Sequence, residues 1–162
     1  MSFELITVTS SLVAKQAVDE VITCNDYTAK YGLMLTFAQA LELVETRSVA
    51  LSENGRIEFG GGVIDKIIKE FCDSSFISMP AYAQTISELL EIFYYYKNET
   101  LDLVSDDDLI RYMKTAFNGI CQGSLDLLSG RELDRLARKM RSGYSYDHLL
   151  DGVSYDEEDE DD

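Results

Sequence analysis

The sequence predicts an all-α protein, a single-domain bundle of about five or six helices over residues 1–142. Three observations carry that expectation. Four segments repeat apolar residues at the i, i+3, i+4, i+7 spacing of one helix face. Residues that start and stop helices bracket those segments. Alternating apolar–polar runs, the mark of half-buried strands, are scarce. At 162 residues and 46% hydrophobic content, the chain is long enough to bury one core without a disulfide or metal staple.

The elements follow in order. Phe3 to Val8 reads equally as a short N-terminal strand or a helical extension, and Leu12 to Ile22 as a helix. Thr36 and Gln39 form a capping box for a helix whose stripe is Phe37, Ala40, Leu41, Val44, Ser48 and Leu51, and Gly55 follows its end. A second stripe is Val63, Ile64, Ile67, Ile68, Phe71 and Cys72, with Asp65, Lys66, Lys69 and Glu70 facing outward. The third is Tyr82, Ile86, Leu89, Leu90 and Phe93, with Pro80 near its start. Ser105 caps the fourth helix. Asp106, Asp107 and Asp108 complement its dipole, and Leu109, Ile110, Met113, Ala116, Phe117, Ile120 and Cys121 form its buried face. Asp107 and Arg111 stand at the i,i+4 spacing of a helical ion pair. Leu133, Leu136, Ala137 and Met140 mark a last helix that Gly143 ends. Residues 143–155 read as a polar linker, and 156–162, an unbroken run of seven acids, as a disordered tail.

Charge and cysteine usage narrow the function classes. The net charge is −16, and residues 1–150 still hold 22 acids against 14 bases. An acidic body repels phosphate backbones and anionic lipid, so neither nucleic acid nor membrane is an expected partner. No apolar run reaches the ~18 residues of a membrane span, and Met1 to Ser11 lacks the positive charge of a secretory signal. Cys24, Cys72 and Cys121 are far apart and form no C-x-x-C pair. They read as buried thiols of a cytoplasmic protein.

Candidate chemistry is sparse. Gly60, Gly61 and Gly62 precede a helix, where backbone N–H groups can cradle an anion, but no phosphate-loop fingerprint is present and the neighbouring Glu58 would repel phosphate. Asp106 to Asp108 fan around a helix and cannot converge on one metal ion. His148, the one histidine, lies in the linker with no evident nucleophile beside it. No cofactor motif appears. Two surface features invite a protein partner or self-association. Tyr95 points away from the buried face of its helix. Arg131, Arg135 and Arg138 line one face of the only positive stretch, on which the acidic tail is expected to dwell.

Several segments together carry a resemblance. They are Tyr31-Gly32 with the Leu-x-Leu-Thr helix start, Glu58-Phe59-Gly60-Gly61-Gly62, Phe71-Cys72-Asp73-Ser74, Phe93-Tyr94-Tyr95-Tyr96-Lys97-Asn98-Glu99, Ser105-Asp106-Asp107-Asp108 and Cys121-Gln122-Gly123-Ser124-Leu125. Over residues 20–142 the chain resembles a family of uncharacterised bacterial proteins, a domain of unknown function found mainly in clostridial-type Gram-positive bacteria. The resemblance implies no activity, cofactor or site residue. The expected function is a non-enzymatic cytoplasmic interaction module. The alternative is an enzyme or small-ligand sensor with its site near Gly60–Gly62.

Overall fold

The computed structural model describes residues 14–144, and every regular element among them is helical. The expectations for Phe3–Val8, His148 and the acidic run 156–162 lie outside the described residues. The elements are α1 (residues 14–23), α2 (Asn25–Thr28), a 3-10 turn (Ala29–Tyr31), α3 (Phe37–Glu53), α4 (Gly62–Phe71), a 3-10 turn (Met79–Ala81), α5 (Tyr82–Glu99), α6 (Asp106–Asn118), α7 (Leu125–Leu127), a π-helical turn (Leu128–Glu132) and α8 (Leu133–Arg141). No described helix is long and apolar enough to cross a membrane.

Local chemistry sets the boundaries. Both halves of the Thr36–Gln39 capping box form. Past the end of α3, the Arg56 N–H donates to the Leu51 carbonyl with Gly55 at φ +65°, which is a Schellman closure. The Ser105 hydroxyl accepts from the Asp108 N–H, and Pro80 sits in the first residues of the turn that leads into α5. Arg111 pairs with Asp108 at 2.7 Å, one turn away.

The described residues fall into two compact units, with the division inside α5 after Glu91. The first unit holds residues 14–73 and 77–91. Its core is Leu43 and Val44 of α3, Ile64, Ile67, Ile68 and Phe71 of α4, and Tyr82, Ile86, Leu89 and Leu90 of α5. The second holds residues 74–76 and 92–144, around Phe93, Tyr94, Leu109, Met113, Phe117, Leu128, Leu133 and Leu136. Each fully buried aliphatic or aromatic side chain contributes on the order of 1.5–3 kcal/mol.

Two details correct the expected faces. Phe37 is 57% exposed and Ser48 is exposed, because α3 buries Ala40, Leu43, Val44, Arg47, Ala50 and Leu51. That face is rotated from the expected one and includes an arginine. Asp65, expected to face water, is half-buried and turned toward Cys24.

Candidate functional site

The most elaborate polar arrangement in the first unit surrounds the triple-glycine turn. Gly60 and Gly62 adopt left-handed conformations, at φ +62° and +48°, so the chain reverses into the amino terminus of α4. There the first amides have no intrahelical acceptor and carry the positive end of the helix dipole. Two of the protein's own carboxylates occupy them. The Gly61 N–H donates to Glu20 Oε1 at 2.7 Å, and the Val63 N–H donates to Glu58 Oε1 at 3.2 Å.

The same Glu58 oxygen lies 3.4 Å from Nη1 of Arg47. Arg47 is only 4% exposed, and its Nε has no hydrogen-bond partner. The glycines are explained by this crowding. A Cβ on Gly60 would overlap the Glu20 carboxylate, and one on Gly61 would overlap that of Asp65. On Gly62 it would come within 2.6 Å of Glu58 Oε1 and 2.9 Å of Arg47 Nη1. A Cβ at any of these positions takes up space that a carboxylate fills.

Asp65 completes the cluster. Burial raises its carboxyl above the usual carboxylate range. The hydrogen bond from Cys24 and the charge of Lys69 oppose that rise, Glu20 adds to it, and Arg47 opposes it. Cys24 donates its S–H to Asp65 Oδ1 at 3.4 Å. Burial, then the adjacent Asp65, pushes that thiol up to about 12. At neutral pH Cys24 is therefore a protonated donor, whereas nucleophilic cysteines need a lowered pKa. All three cysteines are free and buried, and burial pushes Cys121 up to about 11.

The turn also controls what precedes it. Residues 56–59 run without regular structure from the end of α3 to the first glycine. Glu58 is drawn inward by Arg47 and the Val63 amide. Its two neighbours are left facing out. Ile57 is 80% exposed and Phe59 is 77% exposed. These are the two most exposed large apolar side chains among the described residues.

The second unit holds the other expected surface. Tyr95 is exposed, as its helix position predicts, and its ring meets Tyr96 edge-on at 4.9 Å. The Tyr96 hydroxyl donates to the Ser129 carbonyl in the π-helical turn. The arginines find local counter-charges. Arg131 and Arg135 reach the buried Glu132 at 2.9 and 3.6 Å, and Arg138 reaches Asp134 at 3.1 Å. Each arginine thus has a nearby carboxylate, with Glu132 shared between two of them.

Sequence reasoning singled out the glycine turn but missed Arg47, Glu20 and the Cys24–Asp65 pair. One signal was available, since Arg47 stands three residues after Val44 and four after Leu43, on the apolar register itself.

No curated protein and no solved structure matches the chain. The model of a family of unknown function, DUF6323, matches residues 20–146, a stretch that contains the glycine turn, Arg47, Tyr95 and the arginine face, and the chain belongs to that family.

Proposed function

We propose that this chain is a non-enzymatic protein-interaction module that engages its partner through Ile57 and Phe59. The observation that carries the reading is the exposure of these two residues, 80% and 77%, on a segment fixed at both ends. The Schellman closure holds one end, and the Glu58 and Glu20 hydrogen bonds hold the other. Large apolar side chains held outward by a rigid scaffold suit the anchors of an interface. They enter a partner's pocket with little ordering left to do. Tyr95 offers a further anchor in the second unit. On this reading residues 1–142 are the working domain, 143–155 a polar linker and 156–162 an acidic tail. The three free cysteines suit a reducing, cytoplasmic setting.

The alternative, a small-ligand site at the glycine turn, would require an anion to displace Glu20 or Glu58 from the amides it would use. Affinity capture from host cells tests the preferred reading. Wild type should retain a partner that Ile57→Ser/Phe59→Ser loses and that Tyr95→Ala retains more weakly, with the circular dichroism of all three unchanged. Equal capture by the double variant would remove the proposed role of this segment.

A further inference from the structure

A different surface of the first unit has a chemistry of its own. Between α3 and α5 runs an open groove of about 580 Å³, a volume within the range of binding clefts. Thr46 Oγ1 and Ser87 Oγ, hydrogen-bonded at 3.2 Å, bridge the two helices along it. Glu42 and Glu45, one turn apart on α3, and Glu91 on α5 line it, and no lysine or arginine does. These three carboxylates make no hydrogen bond or ion pair among the described residues. By contrast Arg47, Lys97, Arg131, Arg135, Arg138 and Arg141 are each paired with a carboxylate. The groove is also partly apolar. Val49, at 57% exposure, stands in it with Pro80 and Ala83.

We infer that this groove is a docking cleft for a lysine- or arginine-bearing amphipathic helix of a partner protein. Charge complementarity selects the cations. Val49, Pro80 and Ala83 select an apolar stripe beside them, and a furrow between two helices suits a third helix laid along it. A free polyamine would satisfy the glutamates but leave Val49 uncovered. The inference rests on the reading of the chain as an interaction module, but on residues separate from Ile57 and Phe59, so the two can fail independently.

Fluorescence anisotropy with a labelled leucine–lysine amphipathic peptide, about four helical turns long, tests it. Wild type should bind, and more weakly as salt rises from about 50 to about 300 mM and the screening length shrinks. Glu42→Gln/Glu45→Gln/Glu91→Gln should weaken binding about tenfold, the product of three exposed pairs worth a few-fold each. Val49→Ser should weaken it measurably. The Ile57→Ser/Phe59→Ser change should leave it within about twofold, since neither residue lines the groove, and removal of residues 151–162 should do the same if the groove rather than the acidic run captures the peptide. A scrambled peptide with the same lysines but no apolar stripe should bind at least tenfold more weakly, about 1.4 kcal/mol. The inference is overturned if the triple variant binds like wild type, if tail removal abolishes binding, or if the scrambled peptide or spermidine binds as tightly as the helix.

Discussion

Replacing Glu58 by glutamine should be among the most damaging single polar changes in the first unit, and the damage should be reversible by a second change. Arg47 has a side chain only 5% exposed, and Glu58 Oε1 lies 3.4 Å from its Nη1. Its Nε already lacks a partner, so loss of the Glu58 charge leaves a buried guanidinium with no compensation from that side. Removing one partner of a buried pair typically costs about 3–5 kcal/mol. Glu58 is 19% exposed and the pair is long, which argues for the lower end, about 3 kcal/mol. Weakening the carboxylate at the Val63 amide adds a few tenths to ~1 kcal/mol.

Arg47→Met/Glu58→Gln removes the charge together with its counter-charge and puts an apolar side chain on the buried face that carries Leu43 and Val44. Such replacements are often close to neutral. The double variant should therefore be more stable than Glu58→Gln alone, with a coupling energy of about 2 kcal/mol. Urea denaturation reads this directly. At an m-value of ~1–3 kcal/mol per molar, Glu58→Gln should move the midpoint down by roughly 1–3 M, and the double variant by less, with m unchanged. If the double variant loses the sum of the two single losses, Arg47 is not held by Glu58 and the account of the turn is wrong.

Other expectations are simpler to state. Phe93→Ala and Phe117→Ala, at 1% exposure each, should each cost about 3–5 kcal/mol in chemical denaturation, whereas Tyr95→Ala at 55% exposure should cost no more than about 1 kcal/mol, chiefly its edge contact with Tyr96. Native protein at pH 8 should show no fast-reacting thiol with a disulfide reagent, and all three thiols should react after unfolding. Because burial raises Cys24 from 9.0 to about 12, its contribution to stability is complete below pH 9 and declines as pH rises from 9 toward 12, so alkaline denaturation of Cys24→Ala should be less steep across that window. Gly130→Ala, where a Cβ meets nothing within 4 Å, should stabilise by about 0.4–1 kcal/mol. Gly123→Ala should destabilise by about 2 kcal/mol, from a φ of +82° and a Cβ 2.7 Å from the Phe76 ring; thermal melts that rank the two glycines the other way would contradict both assignments.

The helices were legible because their determinants are local. A capping box needs residues three apart, a Schellman closure needs one glycine, and a buried stripe repeats every 3.6 residues. The stripes of α4 and α5 are buried as expected, from Val63 to Phe71 and from Tyr82 to Phe93. In α3 the expected stripe failed at Phe37 and Ser48 for a physical reason. A rotation of one residue is 100°, and what fixes the rotation of α3 is contact with α4 in the same unit, which no local pattern encodes. Arg47 lies on the buried face as well, which a pattern of apolar residues alone does not establish, because a charge counts as outward-facing until its counter-charge is known.

The turn shows the same limit in its chemistry. Three glycines before a helix suggested an anion site, and the neighbouring Glu58 suggested repulsion of an external anion. The sequence could not say that the anions are internal. Glu20 lies 41 residues before the amide it meets, and Cys24 lies 41 residues before Asp65. Spacing of that kind appears only once the chain has folded. Its consequence reaches the surface, because the hydrogen bonds that fill the glycine turn also fix Glu58 inward and Ile57 and Phe59 outward. On the proposed reading, presentation of those two side chains then depends on Glu58, which is turned away from them toward Arg47. Under conditions where Glu58→Gln remains folded, it should still weaken partner capture, since a loosened segment must be ordered on binding at ~0.5–1.5 kcal/mol per side chain immobilised. The Arg47→Met/Glu58→Gln variant separates rigidity from charge. It recovers stability without restoring the carboxylate on the Val63 amide, so capture should remain weak while the urea midpoint rises. Capture that recovers in step with the midpoint would mean that global stability, and not the clamp on Glu58, governs how Ile57 and Phe59 are presented.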